Sequence, residues 1–446
     1  MANFHGTAWD RLLAVLIAFV PGLPPDIHFE AYEPSPSIDL EKLPIVNALD
    51  KVEVILEGET SGAESPTVIG QGDGFYAGLD NGQIVKYQNG IVSVVAQVGR
   101  DCGAPWGSVC GRPLGLRLDA SGKLVVSAAD RGVLIVDPKK GDVSSLFDFK
   151  SDIQGHVPGF ADDLDVGQNG TVYWSDVSTN LDVMNPLKDL LGNDPSGRLV
   201  EYDPKTKRNK VLIDAIHFAN GVQLSENEDF VLVSESIRCR VLRYHLKGPK
   251  AGQKDVFMDG LPGLPDNIRP NGKGGFYIVL SEPRQFLGDN IGKLPTVRKL
   301  ILRTHTLVDL MAGSLKRFIP DFVDFGGLSQ IVLNTIPVQK ISAAIAGPSR
   351  ILDVDAAGKI LRVLQHSENK ISFASQIVIS SKYAYIGRFF GNGIWRIKMS
   401  DLNTECPTLS EFDDHRKTLE IMDYCDHKCC ALMFYAGDMT DIFGYI

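Results

Sequence analysis

A phrase of two short apolar strands separated by a polar turn recurs six times along this chain, and it constrains the fold more than any other feature. The copies are VIGQGDGFYAG, LRLDASGKLVV, LDVGQNGTVYW, VQLSENEDFVL, IRPNGKGGFYI and IVISSKYAYIG. The first apolar residue after each turn, here termed the anchor, is Phe75, Leu124, Val172, Phe230, Phe276 or Tyr383. Anchors stand about 46–58 residues apart, except across one long gap before the last, a spacing typical of propeller blades.

A second strand pair follows most copies of the phrase. In GQIVKYQNGIVSVVAQ, for example, an Asn-Gly step permits the tight reversal that a hairpin needs. Two hairpins per repeat make a four-stranded blade, and a closed ring of blades removes most exposed strand edges. The sequence therefore predicts an all-β, six-bladed β-propeller of four-stranded antiparallel blades.

Segments outside the repeat complete the ring and extend it. Residues 52–57 (VEVILE) precede the first full repeat, and we expect this strand to close the last blade. In the long gap, VRKLILRTHTLVDLMAGSLKRFI has apolar residues at helical spacing and predicts a helical insertion on one rim. A smaller insertion is expected at about 179–195. The predicted domains are an N-terminal segment over 1–45, the propeller over 46–400 and an atypical tail over 401–446.

Charge and the N-terminal segment bear on partners and compartment. The formal net charge of −10 differs from the excess of basic residues that is typical of nucleic-acid-binding proteins, so we expect no nucleic-acid partner. LLAVLIAFV at 12–20 is shorter than a membrane span and fits a signal sequence or a truncated anchor better than the alternative of a buried helix. Asn169 opens an Asn-Gly-Thr glycosylation sequon, although the same Asn-Gly step also suits a blade turn. We expect a secreted or membrane-anchored protein.

The seven cysteines are unevenly distributed. Cys102 and Cys110 flank the loop GAPWGSV, and they form either a disulfide in an oxidising compartment or two free thiols. Cys239 lies in a strand and is expected to be a buried thiol. The tail cysteines at 425, 429 and 430, with a histidine at 427, fit no standard zinc spacing.

Oxygen-bearing side chains occur at one phase of the repeat, ten or eleven residues before four of the six anchors. They are Glu64, Asp162, Asn220 and Asp266. Because each comes from a separate blade, we expect them to meet around the propeller axis, with Asp163 and Asn267 beside them. Ca²⁺ takes six to eight oxygen ligands of these types, so the pattern predicts a calcium site. Any one of these residues alone would more often cap a turn.

Two histidines precede these ligands and are candidate bases for hydrolysis. His156 stands six residues before Asp162, and His217 stands three before Asn220. A general base must reach the water whose proton it takes, and such loops lead to the expected axis. Each histidine has the alternative of a purely structural role. The sequence contains no nucleophile elbow, P-loop or dinucleotide fingerprint.

Long stretches of the chain resemble the strictosidine synthase-like family, close to the adipocyte plasma membrane-associated protein and hemomucin branch. They are CGRPLGLRLDASGKLVVSAAD, FADDLDVGQNGTVYWSDVST, GRLVEYDPKTK, FANGVQLSENEDFVLVSES and GLPDNIRPNGKGGFYI. The resemblance implies a six-bladed propeller, a Cys102–Cys110 disulfide and entry into the secretory pathway. It also implies membrane association through the N-terminal segment, with the propeller on the lumenal or outer side.

Two departures from related propellers affect the expected chemistry. Alignment of ASQIVISSKYAYIG places Ser375 where strictosidine synthase has a catalytic glutamate, and a serine hydroxyl cannot replace that carboxylate as acid and base. More distant paraoxonase and gluconolactonase propellers bind calcium through a Glu, two Asn and an Asp. Where they have Asn-Asp, this chain has Asp162-Asp163, which keeps an oxygen ligand and adds charge.

Three functional hypotheses follow. The first is a calcium-dependent hydrolase of arylesterase or lactonase type that acts on a small-molecule ester or lactone. The second is a non-catalytic, membrane-associated adhesion or receptor propeller in which calcium is structural. The third is a strictosidine synthase-type carbon–nitrogen lyase, which Ser375 disfavours. The sequence gives no indication of the oligomeric state.

Overall fold

The structure is a computed structural model that describes residues 15–24, 29–70, 72–102, 109–180, 192, 195–284, 286–318 and 347–403. Six antiparallel sheets follow one another along the chain and form the six blades of a β-propeller, as the repeat predicts. Strands β1 and β2 precede the first full blade. Their bounds are β1 (Ile45–Val46) and β2 (Glu53–Ile55).

Blades one to five are each built from two consecutive hairpins, whereas blade six takes its outer strand from the N-terminal part of the chain. Blade one comprises β3 (Thr67–Val68), β4 (Gly74–Gly78), β5 (Gln83–Gln88) and β6 (Ile91–Gln97). Blade two comprises β7 (Pro113–Leu118), β8 (Leu124–Ala128), β9 (Gly132–Val136) and β10 (Val143–Ser145). Blade three comprises β11 (Ala161–Val166), β12 (Val172–Asp176), β13 (Gly197–Asp203) and β14 (Arg208–Ile216).

The last three blades follow the same plan, with a long insertion in blade five. Blade four comprises β15 (Ala219–Leu224), β16 (Phe230–Glu235), β17 (Arg240–His245) and β18 (Lys254–Met258). Blade five comprises β19 (Gly263–Pro270), β20 (Phe276–Pro283), β21 (Arg350–Val354) and β22 (Ile360–Leu364). Blade six comprises β23 (Ala374–Ile379), β24 (Tyr383–Arg388) and β25 (Ile394–Lys398), and β2 completes it.

The N-terminal strands close the ring. Strand β2 pairs antiparallel with β25, with Val54 opposite Trp395, so the expectation that residues 52–57 join the last blade is confirmed. Strand β1 pairs parallel with β22, which gives blade five a fifth strand. Joining the start of the propeller to its last blade protects both edges from pairing with other chains.

The hydrophobic core lies between neighbouring blades. Trp174 of blade three is fully buried and belongs to the same apolar cluster as Val125 and Val133 of blade two. Strand residues alternate between the two faces of a sheet, so each blade packs apolar side chains against both neighbours. The innermost strands all begin at one end of the ring, here termed the top face.

The predicted helical insertion is confirmed and follows β20 at the top face. It contains α1 (Phe286–Ile291) and α2 (Pro295–Phe318), and a short α3 (Met399–Leu402) follows β25. Residues 29–38, here termed the strap, run beside this insertion, where the backbone N–H of Tyr32 donates to the carbonyl of Gly292 (3.1 Å). The smaller insertion expected at 179–195 and the tail from 404 fall almost entirely outside the described residues. No helix in the described ranges is both long and apolar enough to cross a bilayer.

The structure confirms the disulfide and the buried thiol but corrects the placement of Cys239, which lies in the turn between β16 and β17 with a φ of 50° and not in a strand. Cys102 and Cys110 form a disulfide, with Cα atoms 5.9 Å apart. Cys239 is a buried free thiol, and burial raises its pKa to about 12. Such a thiol is unreactive at neutral pH. The tail cysteines lie outside the described residues.

Candidate functional site

A β-bulge interrupts the innermost strand of five blades at the same place. In blade three, Ala161 pairs with Asp176 and Leu164 pairs with Trp174, so three steps on β11 face two on β12. The same slip occurs in blades two, four and five, and a shorter one in blade six. A bulge changes the direction in which a side chain points. Polar residues at the bulges can therefore face the axis although the strand otherwise alternates apolar side chains.

The bulges carry the predicted ligands. Asp162, Asn220 and Asp266 each occupy the first position of a bulge, and Glu64 stands just before β3 at the equivalent place in blade one. All four side chains are 5–8% exposed. The structure therefore brings the four predicted ligands to one buried level around the axis, although the sequence pattern gave no sign of the bulges themselves.

Glycine at the second bulge position lets the blades approach the axis closely. A Cβ atom on Gly115 would lie 2.7 Å from Asp163 Oδ1, and one on Gly221 would lie 2.4 Å from the carbonyl oxygen of Asp266. Both distances are shorter than side chains tolerate. The backbone of each of these glycines thus contacts a bulge residue of another blade, next to a candidate ligand.

Three of the four ligands are carboxylates that repel one another. Burial raises the pKa of Asp162 and of Asp266 well above the usual range, and the Glu64 carboxylate raises both further. Burial also raises the pKa of Glu64, against the opposing charge of Arg112, whose Nη2 lies 3.4 Å from Glu64 Oε2. A buried cluster of like charges is costly unless a cation or protons neutralise it.

Asp163 has a different role from its neighbour Asp162. Its two oxygens accept hydrogen bonds from Arg269 Nη1 (2.8 Å) and Nη2 (3.0 Å), and Oδ2 also accepts from the backbone N–H of Val222 (2.8 Å). Burial alone would raise the Asp163 pKa, but the guanidinium groups of Arg269 and Arg117 lower it. Asp163 is therefore an ionised support beneath the candidate site.

Several oxygens at the axis lack a hydrogen-bond donor. Asn220 Oδ1, Asp266 Oδ1 and Asn267 Oδ1 are buried and have no hydrogen-bond partner in the described structure. Buried polar atoms are normally paired, and a hard cation would satisfy all three. As placed, no three His, Cys, Asp or Glu side chains of the described residues stand close enough together to hold a metal ion. The donor types fit calcium.

Serine hydroxyls from neighbouring strands hold the backbone of the ligand residues. Ser375 Oγ donates to the carbonyl of Glu64 (2.6 Å), and Ser234 Oγ donates to the carbonyl of Asp266 (2.6 Å). Ser375 and Ser234 are both fully buried. Both bonds cross from one blade to the next, so they fix the separation of the blades as well as the ligand positions. The sequence pattern did not indicate this role, although serine recurs in these strands.

The two candidate histidines lie in different surroundings. The side chain of His156 is exposed in a turn, where its backbone carbonyl accepts from Arg198 Nη1 (3.4 Å). His217 is 5% exposed, and its ring packs against Tyr32 at an interplanar angle of 40°, with ring centroids 5.1 Å apart. Of the two, His217 is the one buried next to the ligand strand.

Asn169 occupies the exposed blade turn that the sequence predicts. Its Oδ1 accepts a hydrogen bond from the backbone N–H of Thr171 (2.9 Å), and Gly170 takes a positive φ of 84°. The turn geometry accounts for the Asn-Gly step, and glycosylation at Asn169 stays a prediction.

Comparisons with known proteins identify sequence relatives of the chain. A family model described as strictosidine synthase matches residues 162–249. The adipocyte plasma membrane-associated protein of Rattus norvegicus is 30% identical over 366 residues, which cover 79% of this chain and 88% of the relative. The Drosophila melanogaster protein named hemomucin is 31% identical over 404 residues, covering 86% and 67%.

Among solved structures, a gluconolactonase from Xanthomonas campestris matches with a TM-score of 0.49 and 13% identity, covering 82% of this chain and 98% of that chain. A likeness of this degree carries no information about function. The sequence relatives are a stronger guide, because the match to the rat protein runs along most of both chains. The chain belongs to the strictosidine synthase-like family, in the branch of the adipocyte plasma membrane-associated proteins and hemomucin.

Proposed function

We propose that this protein is a calcium-binding hydrolase of small-molecule esters or lactones, with its active site at the top of the propeller axis. The observation that carries the proposal is the buried ring of Glu64, Asp162, Asn220 and Asp266, in which three carboxylates repel one another. Such a ring is stable at neutral pH only with a counter-cation or with bound protons.

Calcium fits the donor set better than a softer metal would. The candidate ligands are oxygens, while zinc and copper prefer nitrogen or sulfur. Glu64, Asp162, Asn220 and Asp266 would hold the ion, and Asn267 offers a further buried oxygen without a donor. A bound calcium ion would polarise the substrate carbonyl and stabilise the oxyanion that forms on attack by water.

The protein's own groups would position the substrate and handle the proton. His217 precedes the bulge that carries Asn220, so its imidazole is the candidate base for the attacking water. Tyr32 packs against that imidazole and limits its exposure to solvent. The ion pair of Asp163 with Arg269 lies among the bulges and keeps their backbone in place. His156, which is exposed, would act only if its loop turned inward.

Condensation of the strictosidine synthase type is disfavoured by the position of Ser375. Its hydroxyl is fully buried and donates to the carbonyl of Glu64, so it serves as a link between blades six and one. A hydroxyl has no proton equilibrium near neutral pH, and it cannot act as the acid and base of that reaction.

We also propose that the propeller lies on the lumenal or outer side of a membrane, or is secreted. The Cys102–Cys110 disulfide fits an oxidising compartment, and the relatives are named as plasma membrane-associated proteins. The apolar segment 12–20 would serve as the signal or anchor.

The test is hydrolysis of aryl esters and lactones by the purified protein, with and without a calcium chelator. We expect activity that chelation removes and calcium restores, and a loss of at least about 100-fold in Asn220→Ala. His217→Gln should lower kcat with a smaller effect on KM, because a base acts only after the substrate has bound.

A matched control separates chemistry from stability. Asn271 is also a buried amide, and it bonds to Asp353 Oδ1 (2.8 Å) away from the ligand ring. Asn271→Ala should lower the melting temperature and retain activity. If wild type binds calcium tightly yet hydrolyses no ester or lactone, the ion is structural and the adhesion or receptor hypothesis replaces this one.

A further inference from the structure

The ring of candidate ligands is incomplete on one side. The step of ten residues back from the anchors, which reaches a ligand in blades three, four and five, reaches Leu114 in blade two and Phe373 in blade six. Both of these side chains are apolar and buried. Because blade one lies between blades two and six, Glu64 is the single candidate ligand that these three blades supply.

Arg112 occupies this side of the ring. It stands just before β7 of blade two, and its guanidinium contacts the chain of both neighbouring blades. Nη2 donates to the carbonyl of Gly62, which leads into blade one (3.1 Å), and to the carbonyl of Phe389 in blade six (2.7 Å). A Cβ atom on Gly62 would lie 2.9 Å from Nη2, so glycine leaves the space that the guanidinium fills.

The backbone that leads to Arg112 is held in place. Cys110, one partner of the disulfide, exchanges two backbone hydrogen bonds with Arg100 (2.9 and 3.0 Å). Gly111 takes a positive φ of 73°, and its N–H donates to Asp130 Oδ1 (2.5 Å). The guanidinium therefore projects from a fixed turn and not from a free loop end.

The charge of Arg112 is directed at the ligand ring, while its hydrogen bonds go elsewhere. Nη2 lies 3.4 Å from Glu64 Oε2, and within the described ranges no other carboxylate stands within 4.0 Å of this guanidinium. Its Nε is buried and has no hydrogen-bond partner there. Arg269 differs, because both of its Nη atoms donate to Asp163 and that charge is already neutralised.

This charge acts on two of the candidate ligands. Burial raises the pKa of Glu64, and Arg112 is the strongest charge that opposes the rise. Burial and the carboxylates of Glu64 and Asp163 raise the pKa of Asp162, and Arg112 opposes that rise as well. One guanidinium against the three ligand carboxylates leaves two formal negative charges, which one Ca²⁺ neutralises.

We propose that Arg112 is a built-in counter-charge that competes with calcium for Glu64. It stabilises the carboxylates of the ring when no ion is bound, and it lowers the affinity of the ring for cations. Coulomb repulsion grows with the charge of the ion, so Arg112 favours a divalent ion over a trivalent one. This inference rests on the calcium site of the proposed function, and it concerns the binding of the ion and not hydrolysis.

The experiment titrates the full chain with Ca²⁺ and separately with Tb³⁺, a trivalent ion that takes the same oxygen ligands, by calorimetry at neutral pH. We expect Arg112→Gln to bind Ca²⁺ about tenfold and Tb³⁺ about thirtyfold more tightly than wild type, because the lost repulsion scales with ion charge. With chelator present, the same variant should melt below wild type, because Glu64 has lost its counter-charge. A purely structural arginine would give the lower melting temperature without the gain in affinity.

Two further variants make the test specific. Arg112→Lys keeps the charge and should bind both ions nearly as wild type does. Arg388 also donates to two backbone carbonyls, those of Phe390 (2.7 Å) and Asn392 (3.1 Å), and its guanidinium lies over the ring of Trp395. Arg388→Gln makes the same change in net charge and should leave both affinities unchanged.

The ratio of the two affinities remains informative even if Arg112→Gln folds only with a bound ion, because the cost of folding is then common to both ions. We expect this Tb³⁺-to-Ca²⁺ ratio to rise about threefold over wild type. An unchanged ratio, or the same rise in Arg388→Gln, would overturn this inference and leave the calcium site standing. Failure of wild type to bind either ion would overturn the calcium site together with it.

Discussion

Asp163 and Arg269 form a two-hydrogen-bond ion pair at the centre of the propeller, between blades three and five and 106 residues apart in the sequence. Both side chains are almost fully buried, at 1% and 4% exposed. Arg117 adds a second guanidinium 3.7 Å from Asp163 Oδ1. Two blades that are not neighbours are thus joined by charge-assisted hydrogen bonds, directly among the bulges that carry the candidate ligands.

Removing one member of this pair should destabilise the fold strongly. In Arg269→Met, the Asp163 carboxylate stays buried without its main partner, and breaking such a pair costs about 3–5 kcal/mol. Chemical denaturation measures the loss directly. Adding Asp163→Asn to this variant should recover part of it, because a neutral amide is less costly to bury than a charge.

The comparison pair is the exposed ion pair of Lys254 and Asp214, whose charged atoms are 3.0 Å apart. The two side chains are 53% and 73% exposed, so Lys254→Met should cost at most about 1 kcal/mol. Equal losses in Arg269→Met and Lys254→Met would show that the axial pair does not stabilise the ring.

The effect of calcium on stability should depend on pH. Asp162 and Asp266 have raised pKa values in the folded chain without metal, so that state binds more protons than the unfolded chain above about pH 4. The metal-free fold therefore loses stability as the pH rises through the raised pKa values. Calcium competes with those protons, and its stabilising effect should increase over the same range.

Thermal melting with and without chelator, at about pH 5 and about pH 7.5, measures this dependence. We expect the larger gap in melting temperature at the higher pH. At a hundredfold excess over its dissociation constant, calcium should stabilise the fold by about 2.7 kcal/mol. Asp266→Asn should lower calcium affinity and reduce the pH dependence. A gap that is the same at both pH values, or absent, contradicts the calcium site.

The sequence predicted the ring and the equivalent positions of the candidate ligand residues because both depend on local period. Each inner strand and turn has nearly the same length, so a fixed step from the anchors reaches Asp162, Asn220 and Asp266 in successive blades. The prediction that the strand at 52–57 closes the ring also depended on the number and order of the repeats. These features can be predicted without knowing which residues that are distant in the sequence contact one another.

The contacts across the axis could not be predicted in this way. Asp162 and Asp163 are chemically identical neighbours, and only the bulge directs one toward the ligand ring and the other toward Arg269. The contact between the rings of Tyr32 and His217 joins the strap to blade four, two segments that are far apart in the chain. Such pairs depend on the three-dimensional arrangement of blades and insertions, which the period does not encode.

The disulfide should contribute modestly to stability. Cys102 and Cys110 enclose a loop with a sequence separation of 8, and the loop-entropy model gives at most about 2–3 kcal/mol for so short a loop. Cys102→Ser/Cys110→Ser should lower the free energy of unfolding by no more than this. Peptide mapping without reductant should recover the bridged pair from secreted material. Two freely alkylated thiols would contradict the bridge.

Ser375 links blade six to blade one, and two substitutions separate this role from catalysis. Ser375→Ala removes the hydrogen bond to the Glu64 carbonyl, and we expect a loss of about 1 kcal/mol in unfolding free energy. Ser375→Glu puts another carboxyl group into a fully buried position next to the candidate ligand ring. It should lower stability in the presence of chelator, because like charges are then closer together.

Neither substitution should create condensation of tryptamine with secologanin, and wild type should lack it too. The strand around Ser375 has no other carboxylate between 373 and 379 that could act as acid and base. Product formation by each protein, followed by chromatography beside the ester and lactone assays, measures this. Condensation by wild type would show that the role assigned to Ser375 is wrong. Condensation by Ser375→Glu alone would show that the propeller retains the substrate pocket and lacks only the carboxylate.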